Sequence, residues 1–258
     1  MNNNKIFLVT NINSISKLKG LGINKFAYPL SFFCVGIPKT FSIEEITETD
    51  AYIFVNRVMD TNACENLNKI VHNLPNNIKG IIFDDIGIVE ILKDVKIEKI
   101  LYCTHFNTNY RSINENFEYV DEIIVSTDIT EEEIDEIIKY AKKDISLFVF
   151  GLVPSMYSRR TLLTSYSKYH NKEKISDLEI ENNDQKFIVI ENEFGTVIYH
   201  YPYYNGLRLL NKKAKYYFYF PVLLEEEKIL ALVNGDISDI PTDIGFLEKK
   251  TIYKVKNN

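Results

Sequence analysis

The stretch "AYIFVNRVMDTNACENLNKIVHNLPNNIKGIIFDD", residues 51–85, places two short β-rich runs on either side of a helical pattern. Between the runs, apolar residues recur at helical spacing until Pro75 ends the pattern; they are Leu67, Ile70, Val71 and Leu74. Both flanking runs are nearly continuous in apolar residues, as are strands that are covered on both faces. A strand, a helix and a second strand in this order predict a parallel βα unit.

The same alternation continues along the chain up to about residue 165. Thr130 and Glu133 have capping-box spacing at the start of one intervening helix. Seven strand candidates with helices between them fit an open doubly wound sheet or a barrel whose eighth unit is irregular. No GxGxxG follows the first strand and no GxxxxGK[ST] occurs in the sequence, so the usual nucleotide-binding reasons for an open sheet are absent. The seven runs are "KIFLVT", "KFAYPL", "AYIFVNRV", "KGIIFDD", "EKILYC", "DEIIVST" and "SLFVFG".

The pattern changes beyond residue 170. A polar connector leads into segments in which aromatic and β-branched residues dominate, and Glu193–Gly195 is typical of a hairpin turn. We therefore expect a βα domain over residues 1–170 and a β-rich, largely antiparallel extension packed on it over residues 171–258. The predicted strands of the extension are "QKFIVIENEFGTVIYHY", "KYYFYFPVLL", "KILALVNGDI" and "TIYKVK".

The composition is that of a globular protein, with 45% hydrophobic and 26% charged residues. A net charge of −6 does not favour general binding to nucleic acid. Neither a membrane span nor a signal sequence is evident, so we expect a cytoplasmic protein that does not bind membranes. The sequence leaves the oligomeric state open.

Candidate site residues follow the predicted strands, because the loops at the carboxyl ends of parallel strands converge. Of the two adjacent acids Asp84 and Asp85, only one can face the centre of a barrel, and we take Asp85 as the catalytic candidate. The alternative is that Asp85 only caps the next helix. His105 is the second catalytic candidate, since imidazole carries protons near pH 7, although a hydrogen-bonded loop histidine fits equally well. Asn56 and Asn109 are candidate substrate-binding residues at the same edge.

The stretch "LFVFGLVPSMYSRRTLLTSY", residues 147–166, is predicted to be a strand that ends at Gly151 and a proline-containing loop. This loop carries Arg159 and Arg160 to the rim, where a guanidinium can hold a carboxylate or phosphate with two hydrogen bonds. The alternative is that one arginine pairs with a nearby acid and the other is solvated. Tyr157 adds a hydroxyl, and we group it with the two arginines as substrate-binding.

This stretch resembles the signature region of peptidase family U32, the collagenase-like peptidases, in which Phe148, Gly151 and Leu163 match the family motif. Weaker similarity extends over nearly the full length, and Asp85 and Gly87 occupy the positions of the family's Asp-x-Gly. The resemblance implies a TIM-barrel-like α/β body of parallel βα units, irregular or incomplete, with a small C-terminal antiparallel β segment. It also implies a hydrolase that acts on peptide or protein substrates.

The signature also departs from the family pattern. Ser146, Pro154, Arg159 and Thr161 stand where the family has Glu, Cys, Gly and Cys. Family members with an iron–sulfur cluster use cysteine thiolates from this region and downstream, whereas this sequence has no cysteine after Cys103. We therefore expect no iron–sulfur cluster and no other cofactor. We assign no metal ligands, and leave open whether a divalent metal binds.

Two other functions remain open besides that of a peptidase. One is a non-catalytic binding or scaffold member, which the replaced signature residues favour. The other is an accessory to RNA modification, which the lysine-rich tail "EKKTIYKVK" favours, although an edge strand protected by lysines explains that tail equally well.

Overall fold

The structure is a computed structural model and describes residues 4–102 and 105–249. Its strands are β1 (Lys5–Leu8), β2 (Lys25–Pro29), β3 (Ala51–Val55), β4 (Ile78–Phe83), β5 (Glu98–Tyr102), β6 (Glu122–Val125), β7 (Ser146–Gly151), β8 (Pro154–Ser158), β9 (Asp177–Asn182), β10 (Gln185–Asn192), β11 (Gly195–Tyr201), β12 (Tyr203–Asn205), β13 (Tyr217–Phe220) and β14 (Thr242–Asp243). Its α-helices are α1 (Ile15–Gly20), α2 (Thr61–Val71), α3 (Ile88–Ile91), α4 (Tyr110–Asn116), α5 (Glu131–Tyr140), α6 (Leu162–Tyr169) and α7 (Glu226–Val233).

Eight parallel strands form a closed barrel. Strands β1 to β7 lie side by side in chain order, and β13 pairs in parallel with both β1 and β7. All seven strands predicted for the first part of the chain are present, and the capping box of Thr130 and Glu133 begins α5. The prediction of a TIM-barrel-like fold is confirmed, and the eighth strand runs parallel to both of its neighbours.

The closing strand β13 lies in the extension that was predicted to be largely antiparallel, and for this run the predicted direction was wrong. "KYYFYFPVLL" contributes the parallel strand β13, and "KILALVNGDI" contributes the helix α7 in place of a strand. Short apolar runs fit a strand or a buried helix equally well, and here Ile229 and Leu232 are the buried residues of a helical face. Residues on both sides of position 170 therefore build the barrel.

A second sheet is antiparallel, as predicted, with the strand order β8, β11, β10 and β9 and the hairpin turn before Gly195. The loop predicted after Gly151 is itself the edge strand β8. The sheet packs on the loop between β2 and β3: the Tyr199 hydroxyl donates to the Gly36 carbonyl at 2.8 Å, and the Asn192 amide donates to the Cys34 carbonyl at 2.9 Å. It therefore covers part of the carboxyl end of the barrel.

Aromatic rings fill the middle of the barrel. The ring centroids of Phe54 and Phe220 are 5.7 Å apart, and those of Tyr102 and Phe148 are 6.2 Å apart. Phe218 packs between them. Such ring pairs make the barrel a packed core rather than a pore.

A polar cluster closes the amino end of the barrel. The fully buried Glu122 accepts a hydrogen bond from the Ser146 hydroxyl at 2.9 Å, and its other carboxylate oxygen lies 3.4 Å from Lys215 Nζ. Burial raises the pKa of Glu122 to about 7, although Lys215 and Ser146 act in the opposite direction. Glu98 lies in the same cluster and accepts hydrogen bonds from the hydroxyls of Tyr52 and Tyr216 at 3.0 Å.

The predicted C-terminal strand and the predicted absence of a membrane span complete the comparison with the sequence. The predicted strand "TIYKVK" and most of the lysine-rich tail lie outside the described residues. Over residues 4–102 and 105–249, we find no helix with the length and hydrophobicity needed to cross a bilayer.

Candidate functional site

The acid that faces the barrel axis is Asp84, not the predicted Asp85. Side chains alternate along β4, which puts Gly80, Ile82 and Asp84 on the inward face. The Asp85 carboxylate instead accepts a hydrogen bond from the Gly87 N–H at 2.9 Å and so forms the turn before α3. Asp85 thus forms an Asx turn and does not cap α3, whose N-cap is Gly87, and Asp84 takes its place as the candidate acid.

Asp84 is partly buried at the mouth of the barrel. Burial, followed by the charge of the adjacent Asp85, raises the pKa of Asp84 to about 7, and backbone N–H groups act in the opposite direction. The negative charge of Asp84 also contributes, after burial, to the raised pKa of Cys34, Tyr157 and Tyr199. These three side chains therefore lie near enough to the carboxyl group to feel its charge.

Tyr157 lies beside a cationic side chain that the prediction left out, Arg57. The guanidinium of Arg57 lies between the rings of Phe32 and Phe194, 4.6 and 4.1 Å from their centroids, and donates to the Phe32 carbonyl at 2.9 Å. It also pairs with Asp60 at 2.9 Å. The Tyr157 hydroxyl donates to the Phe194 carbonyl at 3.3 Å, so the second sheet holds both residues at the mouth of the barrel.

The two predicted arginines have different surroundings. Arg159 Nη2 lies 4.0 Å from the Asp60 carboxylate with 61% of its side chain exposed, so this guanidinium is accessible on the same side as Tyr157. Arg160 is anchored through its backbone: its N–H donates to the Ser158 hydroxyl at 3.1 Å, and its carbonyl accepts from the Thr196 hydroxyl at 2.8 Å. The Arg160 side chain is exposed.

The turn that carries both arginines is held by Glu191, which sequence reasoning did not identify. This buried carboxylate accepts hydrogen bonds from the N–H groups of Leu163 and Thr164 at 2.6 and 2.9 Å, and from the Thr196 hydroxyl at 2.9 Å. Negative charge near the amino end of a helix is favourable. Glu191 therefore fixes the start of α6 directly after the arginines.

The two predicted asparagines are occupied by backbone partners. Asn56 is buried and bonds to Val35 in both directions: Oδ1 accepts from the Val35 N–H at 2.9 Å, and Nδ2 donates to the Val35 carbonyl at 3.0 Å. Asn109 caps α4 by accepting from the N–H groups of Arg111 and Ser112 at 3.1 and 3.0 Å. Both side chains thus shape the loops at the carboxyl edge, and their contact with substrate stays a prediction.

His105 belongs to a second group, which follows β5, the strand beside β4. Its Nδ1 lies 2.8 Å from the Asp128 carboxylate, and 49% of its side chain is exposed. The Asp128 N–H donates to the Ser126 hydroxyl at 3.1 Å, so the loop after β6 orients the carboxylate. The hydrogen bond to Asp128 does not join His105 to Asp84, Asp85 or Arg160, and the catalytic role of His105 stays a prediction.

Ligands for a metal ion are not gathered at either group. Within the described ranges, no cluster of three or more His, Cys, Asp or Glu side chains has an arrangement suited to a metal ion.

Among the comparisons with known proteins, a family model identifies the family of this chain. The model of peptidase family U32 matches residues 31–175. Among solved structures, the U32 peptidase Mk0906 is 12% identical, with a TM-score of 0.48 over 58% of this chain and 70% of its own. The proposed sporulation-specific glycosylase ydhD from Bacillus subtilis is 10% identical, with a TM-score of 0.28 over 90% of this chain and 85% of its own. No curated protein matches the chain significantly.

Proposed function

The chain belongs to peptidase family U32, and from this premise we propose that it is a hydrolase that cleaves peptide substrates bound across the carboxyl end of its barrel. The observation that carries the proposal is the Asp84 carboxyl group at the barrel mouth, whose pKa burial raises to about 7. A general acid or base works best when its pKa lies near the working pH.

In the proposed reaction, ionised Asp84 takes a proton from a water molecule as the water oxygen attacks the peptide carbonyl carbon. The carbon–nitrogen bond then breaks as the protonated Asp84 returns the proton to the leaving amine. Arg159, with an exposed guanidinium, is the proposed anchor for a substrate carboxylate, and the Tyr157 side chain is a proposed contact for the substrate. His105 is proposed as a second proton carrier at the rim.

Incubation with a peptide library, read by mass spectrometry, tests this proposal with two matched variants. Asp84→Asn removes the proposed base, and we expect its turnover to fall by about 100-fold or more. Asp85→Asn keeps an oxygen that can accept from the Gly87 N–H, so we expect its turnover to stay within about threefold of the wild type. Because the base must be ionised, wild-type turnover should rise as the pH increases through about 7.

The outcome that contradicts the proposal is full turnover by Asp84→Asn, or a loss confined to Asp85→Asn. Thermal unfolding of both variants shows whether a loss of turnover reflects unfolding instead.

A binding or scaffold role is the second candidate. It is favoured by three replacements in the family signature: Pro154, Arg159 and Thr161 stand where the signature has Cys, Gly and Cys. If the library is left intact by the wild type while individual peptides bind to it, this second function replaces the first.

A further inference from the structure

A cavity of about 550 Å³ lies apart from the Asp84 group, on the side of the rim where His105 is found. Three parts of the chain enclose it: the loop after β6, the strands β10 and β11 of the second sheet, and the segment around β14. Asp128, the partner of His105, forms part of its wall. This volume falls in the range of sites for small ligands.

Thr127 in the wall of this cavity has an unsatisfied hydroxyl. The residue is 8% exposed, and its Oγ1 is buried without a hydrogen-bond partner among the described residues. Buried polar atoms in folded proteins nearly always have a partner, and the cost of lacking one is substantial. The oxygen atom itself is not accessible from the cavity, so Thr127 contributes only its other atoms to the wall.

The charged side chains around the cavity have both signs. Asp128, Asp184 and Asp243 supply carboxylates, and Lys186 and Lys249 supply ammonium groups. Asp184 and Lys186 have no ion-pair partner within the part of the chain that the structure describes. A ligand with a positive and a negative end would complement this wall better than a ligand with one charge.

The rest of the wall includes three tyrosine or phenylalanine rings. Tyr204 is almost fully buried, Tyr201 and Pro202 lie on the same wall, and Phe246 is 44% exposed at the edge. Rings of this kind bury apolar groups and bind them in defined orientations. The wall therefore suits an apolar side chain between the two charged ends of the ligand.

We propose that this cavity binds a short peptide with free amino and carboxyl ends and an apolar side chain. The carboxylates of Asp128 and Asp243 receive the α-ammonium group, Lys186 receives the α-carboxylate, and the aromatic wall receives the side chain. The proposal goes beyond the proposed function, because this cavity is lined by neither Asp84, Tyr157 nor Arg159, and peptide binding here does not itself require turnover.

Isothermal titration calorimetry with the tripeptide Ala-Phe-Ala tests the proposal. We expect the free tripeptide to bind at least about tenfold more tightly than the same tripeptide with an acetylated amino end and an amidated carboxyl end. Lys186→Met and Asp243→Asn should each weaken binding of the free tripeptide by about fivefold or more and leave the blocked tripeptide unaffected. Asn at position 243 can still accept from the Gly245 N–H, as Asp243 does at 2.8 Å, so the turn is preserved.

Two matched controls carry the same substitutions away from the cavity. Asp239 and Lys174 are exposed and take no part in its wall, so Asp239→Asn and Lys174→Met should bind the free tripeptide like the wild type.

The proposal is overturned if the free and blocked tripeptides bind equally, if neither binds at millimolar concentration, or if the control variants lose as much affinity as the cavity variants. Mass spectrometry of the recovered tripeptide reports turnover in the same samples. Binding without turnover contradicts the proposed function alone, whereas turnover of a tripeptide whose binding the cavity variants leave unchanged contradicts this inference alone.

Discussion

Replacing Glu122 with Gln changes how the stability of the protein depends on pH. Glu122 is fully buried at the amino end of the barrel, with Ser146 and Lys215 as its partners. Glutamine has nearly the same shape and can still accept from the Ser146 hydroxyl, but it does not titrate. A comparison of the two proteins across pH therefore isolates the ionisation of this one group.

The size of the effect follows from the pKa of Glu122, which burial raises from 4.5 to about 7. Between these values the folded protein keeps a proton that the unfolded chain has released, so the stability of the wild type falls as the pH rises. At about 1.4 kcal/mol for each pH unit, the loss amounts to about 3 kcal/mol by pH 8. The free energy of unfolding of Glu122→Gln, relative to the wild type, should therefore rise by about 3 kcal/mol between pH 4.5 and pH 8.

Urea unfolding at pH 4.5, 6, 7 and 8 measures this difference. Glu65→Gln is the matched control, because Glu65 is exposed on α2 and its replacement should leave the pH dependence unchanged. A difference between Glu122→Gln and the wild type that stays constant within about 1 kcal/mol from pH 4.5 to pH 8 would refute the reasoning.

Two further substitutions test the contacts that hold the second sheet at the barrel mouth. Arg57→Met keeps an aliphatic chain between Phe32 and Phe194 but loses the cation and its hydrogen bonds, so urea unfolding should show a loss of about 2 kcal/mol, and no loss would contradict the contact. Glu191→Gln keeps an acceptor for the start of α6 but loses its charge, so we expect a loss of about 1 kcal/mol, together with faster amide exchange in α6 than in the wild type; unchanged exchange would contradict the role of Glu191.

The barrel strands could be predicted because each one is a short apolar run within a local repeat. The closing strand β13 could not, because it lies almost seventy residues beyond β7 and its parallel pairing with β1 is set by closure of the sheet. Its run of tyrosine and phenylalanine fits an antiparallel strand equally well. Local composition thus identified a strand here, but not its partner.

The carboxyl edge of the barrel could be predicted from the sequence, but not which of the two adjacent acids faces the barrel axis. The strand ends do meet at one edge, whereas the choice between Asp84 and Asp85 needed the inward register that Gly80 shares with Asp84. Counting by two from Gly80, the small residue beside the Tyr52 ring, would have indicated Asp84. Arg57 and Glu191 depend on contacts with distant parts of the chain, which spacing within the sequence does not reveal.

The most direct test of the proposed site is a ¹³C NMR titration of the side-chain carboxyl carbons, with the Asp84 signal assigned from its loss in Asp84→Asn. The structure predicts that this carboxyl group titrates near pH 7, because the barrel mouth and the charge of Asp85 disfavour its ionised form. A midpoint near pH 4, the ordinary value for an exposed aspartate, would contradict the assignment of Asp84 as the group that transfers protons.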